Sequence, residues 1–241
     1  MEINVVIPMA GEGSRFSASG YQKPKPFIDV LGKPMIVRVL DNLNFNQVKF
    51  ILVARQEHLE VEKELVAEIQ NNYNVVFKPI NHLTEGATCT VLHCREFINN
   101  SNPLIIANSD QIIDASFENF VTDCIDRNLD GSIMTFKDPE KSNKWSFAKL
   151  DSNGLVREVR EKVPISDIAT VGIYMFNKGL DFVNSAIDMI VQNDRVNNEF
   201  YVCPVYNYSI KSNLKIGVYD INFNSMHGIG TPEDLDNYMK I

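Results

Sequence analysis

Short apolar runs rich in β-branched residues alternate along this chain with longer amphipathic runs. That alternation is the imprint of βα units around a largely parallel sheet, because neighbouring parallel strands need a crossover long enough to hold a helix. Ile3–Pro8 reads as the first strand. A helix follows Pro34, with Met35, Ile36, Val39, Leu40 and Leu43 on one face. Residues 49–54 form a second strand, and 56–70 a charged helix burying Leu59, Leu65, Val66 and Ile69. Strands at 75–78 and Leu104–Ala107 flank a helix at 87–98. Phe117, Phe120, Val121, Cys124 and Ile125 mark another helical face, and 132–136 returns as a strand.

Beyond about residue 140 the texture changes. Residues 145–151 and 155–162 around Asn153-Gly154 predict a β-hairpin. A strand at 170–176, helices at 178–192 and 200–211, a strand at 214–221 and a helix at 232–240 complete the chain. No repeat, low-complexity tract or linker interrupts it. The expected architecture is α/β: one domain over 1–241, a Rossmann-like mixed, mostly parallel sheet flanked by helices, with a smaller hairpin-rich part.

A chain of 241 residues with 44% hydrophobic and 22% charged residues can bury a substantial core. Its formal net charge of −8 argues against a non-specific nucleic-acid binder, but not against a small phosphorylated ligand held by a few local cations. Cys89, Cys94, Cys124 and Cys203 form no CxxC pair and no metal-ligand spacing, which predicts buried free thiols and fits a reducing cytoplasm. No stretch approaches the roughly 18 apolar residues of a membrane span, and the N-terminus lacks signal-peptide character. A cytoplasmic protein with no membrane or nucleic-acid partner is expected.

The first strand empties into Gly11-Glu12-Gly13-Ser14-Arg15-Phe16. A dinucleotide fingerprint would need a third glycine where Phe16 stands and a helix after it, whereas 17–33 is polar and proline-rich. A P-loop would need Gly-Lys-Ser/Thr, and there is none. What remains is a loop whose glycines let backbone approach anionic oxygens, carrying Arg15, with Lys25 held between Pro24 and Pro26. Alone, these glycines and Arg15 fit a polar surface turn equally well.

The spacing of the longer segment is more specific. Pro8-Met9-Ala10-Gly11-Glu12-Gly13-Ser14-Arg15-Phe16, then Pro24-Lys25-Pro26-Phe27, then Gly32-Lys33-Pro34-Met35, resembles the signature of the sugar nucleotidylyltransferases, the nucleoside-diphosphate-sugar pyrophosphorylases. The resemblance implies a Mg²⁺-dependent enzyme that joins an NTP to a phosphorylated acceptor, most often a sugar 1-phosphate, with release of pyrophosphate, supporting surface-polysaccharide synthesis. It places Met9, Ala10, Gly11, Glu12, Gly13, Ser14, Arg15 and Lys25 around the nucleotide, with Arg15 and Lys25 catalytic. Such a transfer depends on positioning and charge neutralisation.

By the same resemblance, Glu85-Gly86-Ala87 adjoins the nucleobase, with Asn81 at the spacing of a base-reading amide. Thr84 as a helix cap is an equally good reading of that stretch. Asn108-Ser109-Asp110 ends a strand where open α/β sheets place ligands. The family carries a Mg²⁺-binding aspartate there, so Ser109 is assigned to the nucleotide and Asp110 to metal, catalysis and acceptor. Glu161, Lys162, Gly172 and Glu199 fall to the acceptor, although 157–162 read alone is a mixed-charge exposed strand.

Two positions depart from the family pattern. Gly228 stands where a second metal-binding aspartate is common, leaving Asp110 alone or Asp220 as substitute. Asn197 stands where some members have arginine, with Arg195 nearby but out of register. The resemblance covers roughly 1–235, and no fused β-helix is expected. Residues 1–140 would be mainly the nucleotide half and 141–241 the acceptor half. The base, the acceptor and the oligomeric state are left open. A cytidylyltransferase acting on phosphocholine, a nucleotide-sugar-dependent glycosyltransferase and a silent nucleotide-binding module are the alternatives.

Overall fold

Ile3–Pro8 lies inside a nine-stranded sheet, with Leu104–Ala107 parallel on one side and Val48–Arg55 parallel on the other. The computed structural model describes residues 2–240. Val75–Ile80 continues the parallel half beyond Val48–Arg55. Antiparallel pairing enters at Ile168–Phe176, which lies against Leu104–Ala107, Gly131–Lys137 and Ser146–Leu150. The hairpin strand Val156–Glu161 closes one edge, and Ile216–Asp220 runs parallel to Gly131–Lys137. The mixed α/β architecture expected from the sequence is the one found.

Period-two alternation explains why helices cover both faces. Val5, Ile7, Phe50, Leu52 and Ile105 enter one apolar layer, completed by helices Met35–Leu43 and Phe117–Asp126. Val6, Ile51, Val53, Leu104 and Ile106 enter the other, completed by Gly179–Val191 and by Val91, Cys94 and Ile98. Each layer draws residues from both halves of the chain.

Some elements differ from the sequence expectation. The helix expected at 56–70 is two, Gln56–Val61 and Lys63–Asn72, broken at Glu62. A single helix would rotate Leu59 and Leu65 well apart, and the break lets both reach the first layer. The helix at 87–98 likewise divides into Ala87–Leu92 and Arg95–Ile98. Gly86 precedes it with no side-chain cap, so Thr84 is not the cap; its hydroxyl instead bonds Gly86 O and the Thr90 hydroxyl. Pro204 delays the next helix to Val205–Lys211, and Ile125 is 43% exposed rather than buried. A one-turn helix, Ser14–Ala18, follows Gly13.

The hairpin forms, but its loop is longer than a two-residue turn. Asp151 Oδ1 accepts from the N–H groups of Asn153 and Leu155, and Gly154 takes φ +78°. Strand Ile168–Phe176 shifts register between Thr170 and Tyr174 as it leaves the parallel body. Gly172 occupies that shift with φ +93°, where a Cβ would lie 2.2 Å from Asn108 Nδ2.

Candidate functional site

At the carboxyl ends of Ile3–Pro8 and Leu104–Ala107 opens a cavity of about 600 Å³. Its lining includes Met9, Ala10, Gly11, Glu12, Gly13, Ser14, Arg15, Lys25, Glu85, Gly86, Ala87, Ser109, Asp110 and Glu199. Parallel strands deliver loops to one sheet end, so segments a hundred residues apart converge without special pleading. Asn81 is exposed and absent from this lining, whereas Leu83 and Thr84 belong to it. Among the described residues no group of three or more His, Cys, Asp or Glu is arranged to hold a metal.

The centre of the site is an ion pair. Lys25 Nζ donates to Asp110 Oδ2 at 2.5 Å, and both side chains are largely buried. Lys25 sits in the 3-10 turn Lys25–Phe27 behind Pro24, with its ammonium 5.7 Å from the Phe16 ring centroid. Gly13 makes room for this arrangement. Its φ is +63°, and a Cβ there would stand 3.0 Å from Lys25 Cβ. Arg15 is exposed on the Ser14–Ala18 helix, ion-paired to nothing among the described residues. No helix starts at Asp110; the short strand Gln111–Ile113 follows it, so the aspartate is not a helix cap.

The Glu85–Thr88 segment is laced to the loop that ends at Phe200. Phe200 N–H donates to Glu85 O at 2.8 Å, and Thr88 N–H to Phe200 O at 3.0 Å. Gly86 has φ +121°, and a Cβ there would stand 2.6 Å from the Phe200 backbone nitrogen and oxygen. Val196 and Glu199 exchange two backbone bonds of 3.0 Å around Asn197 and Asn198, both left-handed, which presents Asn198 and Glu199 to the cavity.

Glu161, Lys162 and Gly172 do not line the cavity, although Gly172 abuts its Asn108 wall. Glu161 is buried rather than exposed, and accepts from the Ser146 hydroxyl. Burial pushes its carboxyl above the usual range; Ser146 and Lys162 pull it back, while the Glu199 charge pushes it further up. Lys162, at φ +57°, donates to the Tyr201 hydroxyl at 3.0 Å and lies 4.9 Å from that ring's centroid. The hydrogen bond raises its pKa against the opposing effect of burial.

The nucleotidyl transferase family model matches residues 4–203. The chain belongs to the nucleotidyl transferase family. Among curated relatives, the mannose-1-phosphate guanylyltransferase catalytic subunit beta of Drosophila melanogaster is 27% identical over 71% of this chain and 47% of that protein. The bifunctional protein GlmU of Methanococcus aeolicus is 24% identical over 76% of this chain and 42% of that protein. The chain thus spans about half the length of the curated relatives it matches, or less. A solved nucleoside-diphosphate-sugar pyrophosphorylase from Vibrio cholerae superposes with TM-score 0.85 over 98% of this chain and all of that one, at 23% identity. A putative glucose-1-phosphate thymidylyltransferase from Bacillus anthracis, solved with sucrose, gives TM-score 0.74 over 99% and 94%, at 16% identity. The resemblance read from the opening segment holds at family level, and these structures share the fold.

In this chain the departures from the family pattern acquire positions. Gly228 pairs with Gln111 next to Asp110, and a Cβ there would meet nothing within 4 Å. Asp220 is not in the cavity lining and bonds the Thr135 hydroxyl at 3.4 Å. Arg195 donates to Glu85 Oε2 at 2.8 Å and to Asn198 O at 3.3 Å, with its guanidinium 4.2 Å from the Phe200 ring centroid. Gly230 was not singled out from the sequence as a site residue. A Cβ there would stand 2.7 Å from Asp110 Oδ2 and 3.7 Å from Lys25 Nζ. Its only sequence signal is the Gly230-Thr231-Pro232 run, two residues after Gly228.

Proposed function

We propose that this nucleotidyl transferase joins an NTP to a phosphorylated acceptor, a sugar 1-phosphate, and releases pyrophosphate. The observation that carries the proposal is the Lys25–Asp110 pair on the cavity wall, roofed by Gly13 and flanked by Gly230. A part-buried cation in direct contact with a carboxylate, with Arg15 on the same wall, suits a reaction whose demand is charge neutralisation, and no protein nucleophile need take part. The acceptor's phosphate oxygen forms a bond to the α-phosphorus, the bond to the bridging oxygen breaks, and pyrophosphate leaves with its electron pair.

Arg15 and Lys25 neutralise the triphosphate, and the Gly11–Gly13 backbone lies against it. Glu85, Gly86 and Ala87 flank the base. Glu199, on the cavity wall, accepts hydrogen bonds from acceptor hydroxyls; Glu161 and Lys162, outside that lining, are assigned to the acceptor's hydroxyls and phosphate by the family resemblance alone. Residues 1–140 form the nucleotide side and 141–241 the acceptor side of one domain.

Asp110 is a hard oxygen donor, and the missing Cβ at Gly230 leaves a cradle beside its Oδ2, so the site fits Mg²⁺ held by one carboxylate and substrate oxygens. When bound, the ion supplies Lewis-acid charge at the phosphates. By the family resemblance, the protein works in the cytoplasm and feeds surface-polysaccharide precursors.

The test is a matrix of four NTPs against sugar 1-phosphates and phosphocholine, with Mg²⁺, reading pyrophosphate. Turnover with one NTP and one sugar 1-phosphate supports the reading. Turnover of CTP with phosphocholine alone moves the acceptor to the alternative class. Sugar transfer from a nucleotide sugar without pyrophosphate, or NTP binding with no turnover on any acceptor, overturns it.

A further inference from the structure

Two asparagines outside the cavity lining make the same unusual contact, one with the strand after Asp110 and one with the strand that ends at Glu161. Asn42, near the end of helix Met35–Leu43, donates from Nδ2 to Ile113 O at 2.9 Å and accepts at Oδ1 from Ile113 N–H at 2.9 Å. Asn207, on helix Val205–Lys211, accepts at Oδ1 from Val159 N–H at 2.9 Å and donates from Nδ2 to Val159 O at 3.0 Å. A primary amide is the one neutral side chain that presents a donor and an acceptor side by side, as the backbone of a neighbouring strand does. Each asparagine therefore supplies one residue's worth of strand pairing from a helix.

The clamped strands carry the chemistry. Ile113 lies on Gln111–Ile113, directly after Asp110, and its strand's other edge is occupied by Met226–Gly228. Asp110 O there accepts from Ile229 N–H at 2.9 Å, and Asp114 N–H donates to Ser225 O at 2.7 Å. Asn42 thus closes the edge that the partner strand leaves open. Val159 lies two residues before Glu161 on Val156–Glu161, the outermost strand of the sheet, whose inner edge pairs with Ser146–Leu150. Asn207 closes its outer edge.

We propose that Asn42 and Asn207 are positioning residues, each fixing one short strand and through it one reactant: Asn42 holds Asp110 for the nucleotide and its metal, Asn207 holds Glu161 and Lys162 for the acceptor. The assignment of reactants rests on the function proposed above; the assignment of strands does not. Short strands held on one edge only are free to slide or fray, and a misplacement of about 1 Å at a reacting group can cost about a hundredfold in rate. An asparagine clamp prevents that sliding without placing a side chain in the cavity.

The test uses Asn42→Asp and Asn207→Asp in the full chain. Aspartate keeps the size, but turns an oxygen where the amide donated, toward the strand's own carbonyl. Hydrogen–deuterium exchange needs no ligand. Asn42→Asp is expected to speed exchange in 111–113 and leave 156–161 as in the parent, and Asn207→Asp to do the reverse. Kinetics then use the NTP and acceptor pair with highest parental turnover. For Asn207→Asp we expect acceptor KM to rise about tenfold with NTP KM within about twofold. For Asn42→Asp the expectation is a kcat lower by about tenfold and weaker calorimetric binding of the same NTP with Mg²⁺, with acceptor KM little changed.

Exchange that rises in both strands with either variant, or in neither, overturns the clamps. Exchange confined to each variant's own strand, with both KM values moving together, keeps the clamps but overturns the division of reactants. A parent inactive on every pair fails the proposed function, and exchange still decides the strands. If an aspartate variant does not unfold cooperatively, the serine variant at that position replaces it.

Discussion

Lys25 and Asp110 bear the clearest consequences for single residues. Lys25→Ala removes the part-buried cation and leaves Asp110 without its counter-charge, so pyrophosphate release should fall by about 10²- to 10³-fold. Near-parental release from that variant would remove Lys25 from the mechanism. The open space at Gly228 permits the opposite experiment. Gly228→Asp adds a carboxylate near Asp110 without a steric penalty and should lower the Mg²⁺ concentration for half-maximal turnover about tenfold. An unchanged Mg²⁺ titration would show that position 228 does not reach the ion. Glu161 gives a pH signature. Its folded pKa is raised mainly by burial, so the folded state favours the protonated form. The contribution to stability is therefore largest below the ordinary glutamate value and is lost as pH rises through the folded pKa. Glu161→Gln should unfold at a higher temperature than the parent at pH 7.5, with the gain shrinking toward pH 4, while acceptor turnover falls. A variant less stable than the parent at pH 7.5 would contradict the sign.

Between elements, the decisive contacts are those for which a glycine leaves room. Gly86→Ala would force its Cβ against the Phe200 backbone at a left-handed φ, and should cost about 3 kcal/mol in chemical denaturation. A loss under about 1 kcal/mol would mean that the two segments separate easily. The elements themselves were readable where periodicity is strong: Ile3–Pro8 by its β-branched run, Met35–Leu43 by five apolar residues on one face. Breaks were not readable. Glu62 carries no breaker signal, and the helix parts there because Leu59 and Leu65 must reach the same layer. Glu161 looked exposed because Arg157, Glu158, Arg160 and Lys162 surround it in sequence. Only the pleat, which turns Val159 and Glu161 inward, and the Ser146 hydroxyl opposite make its burial tenable. Within the candidate site, the family resemblance pointed to Gly13, Lys25 and Asp110, which the structure brings together. Gly230, Asn42 and Asn207 act through tertiary contacts that leave no local pattern.

For the whole molecule, the two apolar layers explain the thiols. Cys94, Cys124 and Cys203 are buried among the strands and helices, and burial pushes the first two up to about 12. Cys203 moves in the same direction. Native protein should therefore alkylate only at half-buried Cys89, and slowly, with the other three reacting after denaturation. Rapid native labelling of Cys124 would indicate that its layer opens. The lacing of Glu85–Thr88 to Phe200, reinforced by Arg195 on Glu85, has a consequence for redesign. A hybrid that grafts a relative's second half onto residues 1–140 inherits a stranger's backbone against Gly86. The two segments are therefore exchangeable only as a unit, and a donor segment that brings 85–88 and 195–200 together should fold where either alone fails.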